Sequence, residues 1–385
     1  MVTEHNDISA AVVDLFRGFF KDLGTSRIAD QLQVIKLFPR LFSSEDSLSI
    51  GRPVTMAEIE RVLKMCAKEK SLGPDGWTVE FYLGFWDILG ADLCQLVEET
   101  RSKGFISGAM NSTFIALILK VSKLTSFDVF RPISLCNFIY KLISKSIAER
   151  LKPFLAKVIT PEQFGFLHHH QILDVVGVTQ EGIHSIKTKK LPAILLKLDL
   201  IKAYDKIDWN FLRLLLLQIG LDQELVCWIM ACVTNVQFSV LVNGAPSSFF
   251  HSSRGLRQGC PLSPLLFILV MDSLSRLIAS YKNQNLISGI KVSPHQIISH
   301  VLFVDDVLLF GGNSMEEWQR FHEILTLFCY VSGMNISCTK SSLIAPGGII
   351  DDRIRGILPF PVITMEEGFK YLGFTLKLDS YRKKV

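Results

Sequence analysis

Long apolar runs are missing from this chain of 385 residues. The longest, residues 264–271 and 214–217, fall far short of the ~20 residues that a membrane-spanning helix needs. No two of the eight cysteines (Cys66, Cys94, Cys136, Cys227, Cys232, Cys260, Cys329 and Cys338) stand as C-x-x-C. That excludes zinc-knuckle spacing and fits reduced, mostly buried thiols. The polar start Met1-Val2-Thr3-Glu4-His5 has no basic-then-apolar leader pattern, so an intracellular chain is expected. Excess charge of one sign is also lacking: Lys plus Arg number 41 against 37 Asp plus Glu, a net charge of +4. A purely electrostatic, histone-like binder is excluded, and any basic surface must be local. There is no tandem repeat or low-complexity tract. What is present is core material: 49% hydrophobic and 20% charged residues, with a mean hydropathy of +0.32. The length suggests two or three domains or subdomains.

Residues 8–20 have the spacing of an amphipathic helix, whereas Ser43-Ser44-Glu45-Asp46-Ser47 reads as a loop. Thr55-Met56-Ala57-Glu58 is a capping box opening a helix to about residue 70. Gly73-Pro74-Asp75-Gly76 is a turn. Asn137 is placed to cap a second helix, with apolar positions from Ile139 to Leu151, that Pro153 stops. Residues 193–200 and 238–242 read as strands, and Ser263-Pro264 opens a helix to about residue 280. The apolar runs 301–304 and 307–310, with only Asp305-Asp306 between them, predict a tight hairpin. A helix over 314–331 and a strand near 369–376 follow. This order predicts an α+β fold with helices on one face of a small sheet.

The hairpin carries the sharpest chemical signal. Adjacent carboxylates repel each other and resist desolvation, and a divalent cation relieves both costs. The alternative is a solvated surface turn. Asp199 lies within Leu195-Leu196-Lys197-Leu198-Asp199-Leu200, where a lone carboxylate is costly unless paired or metal-bound, or unless it ends the strand at a sheet edge. One carboxylate at a strand end and two on a nearby hairpin can hold two Mg²⁺ together with substrate phosphate. Two metals roughly 3.5–4 Å apart clamp the attacking and leaving oxygens of phosphoryl transfer. Between these elements runs Arg254-Gly255-Leu256-Arg257-Gln258-Gly259-Cys260-Pro261-Leu262-Ser263-Pro264. Its Gly and Pro residues let backbone approach a ligand, its two Arg offer phosphate contacts, and Gln258 offers an amide to a sugar or base. The alternative is a polar loop capping a core helix.

Together these segments resemble the reverse transcriptases of non-LTR (long interspersed) retrotransposons, particularly the plant type. Gly73-Pro74-Asp75-Gly76-Trp77 is similar to the family's segment ahead of the fingers, and Arg131-Pro132-Ile133-Ser134-Leu135-Cys136-Asn137 with Tyr140-Lys141 to its fingers motif. Residues 197–209, including Asp199-Leu200-Ile201-Lys202-Ala203-Tyr204-Asp205, resemble polymerase motif A; residues 255–264 resemble motif B and Phe303-Val304-Asp305-Asp306 motif C. Ser332-Gly333-Met334-Asn335 through Lys340-Ser341 resembles motif D, and Tyr371-Leu372-Gly373 the primer-grip hairpin. The resemblance covers roughly residues 50–376, and so many blocks in order make it specific.

The resemblance implies a right-hand polymerase: an α+β palm, its antiparallel sheet covered by helices on one face, with helical fingers and a thumb largely missing. Residues 1–50 would be a helical extension or linker, 51–192 the fingers, 193–376 the palm and 377–385 a truncated tail. Asp199, Asp305 and Asp306 would bind two Mg²⁺, with Mn²⁺ as a substitute and the Leu200 carbonyl as a further ligand. Tyr204 would be the steric gate that leaves no room for a 2′-hydroxyl. Gln258 and Gly259 would contact the incoming nucleotide, Arg131 its triphosphate, and Lys340 would protonate the leaving pyrophosphate. The implied partners are an RNA template, a DNA primer and dNTPs, in nucleus and cytoplasm, without a membrane; nothing sets the oligomeric state. After Gln163-Phe164-Gly165-Phe166 the usual Gly-Arg pair is replaced by Leu167-His168-His169-His170. With the chain ending at Val385, the reading is a piece of a larger polyprotein or a truncated genomic copy. Two outcomes stay open: an active RNA-directed DNA polymerase, or an inert remnant with at most weak nucleic-acid binding.

Overall fold

Apolar β-branched and leucine-rich runs form the sheets in the computed structural model, which describes residues 5–22, 24, 26–68, 71–119, 130–167 and 171–378. In chain order the strands are β1 (Ser112–Leu119), β2 (Phe130–Cys136), β3 (Ala193–Leu198), β4 (Gln237–Val242), β5 (Ala245–Pro246), β6 (Phe250–His251) and β7 (Ile290–Ser293). They continue with β8 (Gln296–Ile298), β9 (His300–Phe303), β10 (Asp306–Gly312), β11 (Ser342–Ala345), β12 (Val362–Thr364), β13 (Phe369–Tyr371) and β14 (Phe374–Leu376). The chain divides into two compact units, each assembled from three segments. The first takes Met1–Thr25, Pro39–Lys157 and Tyr204–Phe267; the second takes Ser26–Phe38, Val158–Ala203 and Ile268–Val385.

The first unit is built on the sheet β2-β1-β4-β5, with β6 also paired to β4. Strands β1 and β2 are antiparallel, with Ile118 opposite Arg131, while β1 and β4 are parallel. The amphipathic helix His5–Phe19 seals one face: Val12, Val13 and Phe16 join Ile115, Phe238, Val240 and Phe250 in one apolar cluster. Thr55 caps the helix Met56–Lys64, accepting from the Glu58 N–H at 3.3 Å. The expected reciprocal bond of a capping box is replaced: the buried Glu58 carboxylate accepts from Arg150 Nε (2.6 Å) and Nη2 (2.7 Å). Residues 43–47, expected to be loop, instead cap and open the helix Ser44–Gly51, because Ser43 and Asp46 make a true capping box. The second expected helix runs through Pro153 to Val158 rather than stopping there. Its first amide, Phe138 N–H, donates to the Asp75 carboxylate at 2.7 Å, so the Gly73-Pro74-Asp75-Gly76 turn supplies the cap expected of Asn137.

The second unit is built on the sheet β12-β11-β3-β10-β9. Strand β3 is central, antiparallel to β10 on one side and to β11 on the other. Burial on both faces explains its uninterrupted Ala-Ile-Leu-Leu run. The helix Ile172–Lys189 covers one face, contributing Val175, Ile183 and Ile186 to a core with Leu195, Leu308, Phe310 and Tyr371. The strand expected near 369–376 is a two-stranded hairpin, β13–β14. Among the described residues, one helix, Ser263–Asn283, is long and apolar enough to cross a membrane; 78% of its most apolar window is buried within the protein, as in a core helix.

Candidate active site

The second unit brings Asp199, Asp305 and Asp306 to one end of its sheet. Strand β3 pairs with β10 from Ala193 opposite Gly312 to Leu198 opposite Val307. Continued by one step, this register sets Asp199 opposite Asp306, and the Asp199 charge is felt at the Asp306 carboxyl. Asp306 in turn pairs with Phe303 on β9. The hairpin turn is therefore Val304–Asp305, and Asp306 opens β10, which corrects the expectation of Asp305-Asp306 as the two turn residues. Asp305 is exposed, and Asp199 and Asp306 are half-buried.

Electrostatics record the crowding. Burial first, then the negative charge of Asp305 and of Asp199, raises the Asp306 carboxyl to about 6; Lys197 opposes the shift. Tyr371, on β13, lies where it feels Asp306: its buried hydroxyl has no hydrogen-bond partner among the described residues, and burial pushes its pKa up.

Backbone bonds fix Asp199. Its N–H donates to Ser341 Oγ at 3.0 Å, and its carbonyl accepts from Ser337 N–H at 2.8 Å. Leu200 forms a bridge to Ile336. The 337–341 turn is thus tied to Asp199, and it carries the exposed Lys340, whose N–H donates to Ser337 Oγ. The sequence pointed to Lys340 but not to the tethers themselves, the Ser341 hydroxyl and the Ser337 N–H.

The first unit gathers Tyr204, Gln258, Gly259 and Arg131. The Leu256 N–H donates to the Tyr204 carbonyl at 2.7 Å, and the Gly255 N–H to the Ile207 carbonyl at 2.8 Å. Gly255 has φ +89°, and a Cβ there would sit 2.5 Å from the Asp205 carbonyl oxygen, so only glycine allows this approach. The Tyr204 ring stacks on Phe267 with centroids 4.1 Å apart. Gln258 Nε2 donates to the buried Asp205 carboxylate at 3.1 Å, and the Gln258 carbonyl accepts from Ser134 N–H at 2.8 Å. Ser134 lies on β2, three residues from the exposed Arg131, and Gly259 packs against its carbonyl. Asp205 escaped the sequence reading although it stands beside Tyr204; no local signal marks it as the tether of Gln258.

The two arginines expected to offer phosphate contacts are instead buried on protein partners. Arg257, 4% exposed, donates to Asn111 Oδ1 (2.7 Å), Thr113 Oγ1 (3.0 Å) and the Cys232 carbonyl, and lies 3.5 Å over the Tyr140 ring. Arg254 Nε donates to the Phe19 carbonyl at 2.8 Å. Both guanidiniums are structural pins, because each is buried where backbone carbonyls need a donor. The His168-His169-His170 substitution lies outside the described residues.

Residues 120–376 match the family described as reverse transcriptase (RNA-dependent DNA polymerase), two thirds of the chain. The chain belongs to the reverse transcriptase family. It is 29% identical over 332 residues to the transposon TX1 149 kDa protein of Xenopus laevis, covering 86% of this chain and 25% of that protein. It is 25% identical over 341 residues to the Pol polyprotein of retrotransposable element R2 of Popillia japonica, covering 86% of this chain and 46% of that protein. Identity to the RNA-directed DNA polymerase of mobile element jockey of Drosophila funebris is 25% over 339 residues, 84% of this chain and 35% of that protein. This is a reverse transcriptase domain homologous to those of non-LTR retrotransposons, and it spans a quarter to under half the length of these relatives. Members of the family use divalent metal ions and bind an RNA template, a primer and dNTPs.

The donors suit such an ion in kind: three carboxylate side chains at one sheet end, one of them held reluctant to ionise by burial and by its acidic neighbours. Among the described residues no group of three or more His, Cys, Asp or Glu side chains stands ready-arranged to hold a metal ion. A divalent ion held by only one or two carboxylates has its shell completed by water and substrate phosphate.

Proposed function

We propose that this reverse transcriptase domain extends the 3′-hydroxyl of a DNA primer with dNTPs on an RNA template, using two Mg²⁺, with Mn²⁺ as a substitute. The observation that carries the reading is Asp199 facing Asp306 one step past the β3–β10 ladder, with Asp305 in the adjoining turn. Asp199, Asp305 and Asp306, with the Leu200 carbonyl, are the proposed metal ligands. The bound ions would supply Lewis-acid polarisation of the α-phosphate and a more acidic 3′-hydroxyl.

The protein's own part is positioning. Tyr204, stiffened by its stack on Phe267, would bar a 2′-hydroxyl and so select dNTPs. Gln258, held by Asp205, and Gly259 would meet the nucleotide with amide and backbone. Arg131 would take the triphosphate, a task suited to its planar donors. Lys340, on the turn tied to Asp199, would give its proton to the leaving pyrophosphate. Residues 193–376, which include β3, β10 and the three aspartates, are the proposed palm. The plant subtype rests on the wording of the blocks from Gly73 to Gly373 alone.

Primer extension on poly(rA)–oligo(dT) with Mg²⁺ or Mn²⁺ and dTTP tests the reading. Extension by the wild type and none by Asp305→Ala/Asp306→Ala is expected. No extension by folded wild-type protein at high concentration would leave an inert remnant of the fold.

A further inference from the structure

We propose that Gln163 is a positioning residue that holds the Val304–Asp305 turn, and with it the two hairpin aspartates, in its working shape. The inference rests on the polymerase reading above and adds to it a residue outside the carboxylate set.

Val304 has φ +59°. A β-branched residue rarely adopts that conformation, and it persists only where surroundings over-determine it. Gln163 supplies the determination. Its side chain is fully buried. Oε1 accepts from the Val304 N–H at 3.0 Å and from the Gly165 N–H at 2.9 Å, while Nε2 reaches the Val304 carbonyl at 3.5 Å. Two amide donors on one atom fix which end of the side chain is oxygen. The backbone on either side is stitched to β9: Leu302 N–H donates to the Glu162 carbonyl and Phe164 N–H to the Leu302 carbonyl, both at 2.8 Å. A Cβ on Gly165 would come 2.7 Å from Val304 N, so glycine is needed for the approach.

The brace has its own anchor. Gln163 N–H donates to the Thr160 carbonyl, and Thr160 donates by N–H (2.9 Å) and Oγ1 (2.7 Å) to the buried Asp272, itself paired with Arg276 at 2.7 Å. A line of bonds thus runs from a core helix to the strained residue beside the carboxylates. A glutamine with ordinary packing duties would not place one oxygen on both the left-handed valine's own amide and that of Gly165.

The test compares Gln163→Met, which keeps the volume but no acceptor, with Gln163→Glu, which keeps the Oε acceptor. Amide hydrogen exchange of the peptide around Val304, thermal melting and primer extension are read on each. The expected result for Gln163→Met is faster exchange at Val304 and Gly165 and a kcat lower by about 10- to 100-fold, at nearly unchanged KM for dTTP. Gln163→Glu should recover most of both. If Gln163→Met does not fold, Gly165→Ala takes its place, with the same expectation. Wild-type exchange in the variant, or a kcat loss no larger than its unfolded fraction, would overturn the proposal. A wild type that exchanges slowly at Val304 yet extends no primer would instead sink the polymerase reading and leave the brace standing.

Discussion

The residues proposed to hold metal and those proposed to hold the nucleotide are fixed in different ways. Asp199 and Asp306 are placed by the ladder itself, because they continue the β3–β10 register by one step beyond its last pair. Tyr204, Gln258 and Gly259 lie outside any ladder; they are placed by a glycine, a buried carboxylate and a ring stack. The difference follows from charge. Carboxylates crowded at a sheet end need a rigid frame, and the cost, set first by burial and then by the Asp305 and Asp199 charges, appears in the raised Asp306 pKa. A neutral amide can be aimed by one hydrogen bond, and a loop suffices.

That contrast can be broken most severely in the first unit. Arg257→Met should destabilise it by about 3–5 kcal/mol, since Asn111 and the Cys232 carbonyl would lose a buried charged donor. Urea unfolding monitored by Trp fluorescence would read it. A smaller effect is expected for Asp205→Ala. With the 3.1 Å tether gone, the KM for dNTP should rise about tenfold while kcat changes little, the loss being one charge-assisted hydrogen bond. A fall in kcat at constant KM would show that loop and sheet end are not separable in this way.

Much of the second unit was legible because its signals are local. The apolar run of β3, the Asp-bearing hairpin and the Ser314-capped helix Met315–Ser332 each declare themselves within a few residues. The turn was misplaced by one residue, because a valine at positive φ is not what a turn normally recruits. The helix Ser44–Gly51 was missed because its polar residues mask a sound capping box. Arg254 and Arg257 were misread because burial depends on partners such as Phe19 and Asn111, far away in sequence. Gln163, Ser337 and Ser341 are invisible for the same reason: each acts on a residue more than a hundred positions away.

The central claim is that the sheet end keeps Asp306 in place against an electrostatic cost that only catalysis justifies. An unfolded Asp ionises near its ordinary value of 3.8, whereas in the fold Asp306 holds its proton up to about 6. Between these values the folded state binds more protons, so metal-free stability falls as pH rises through the window and stays reduced above it. Asp306→Asn removes that cost. At pH 7.5 (about neutral, above the window) without divalent ions, the variant should be more stable by about 1–2 kcal/mol, a figure discounted for partial solvent screening, yet should extend no primer. Melting and extension measured on the same preparation decide it. A variant that is stabilised and inert meets the prediction, and one that keeps wild-type extension, or is not stabilised, contradicts it.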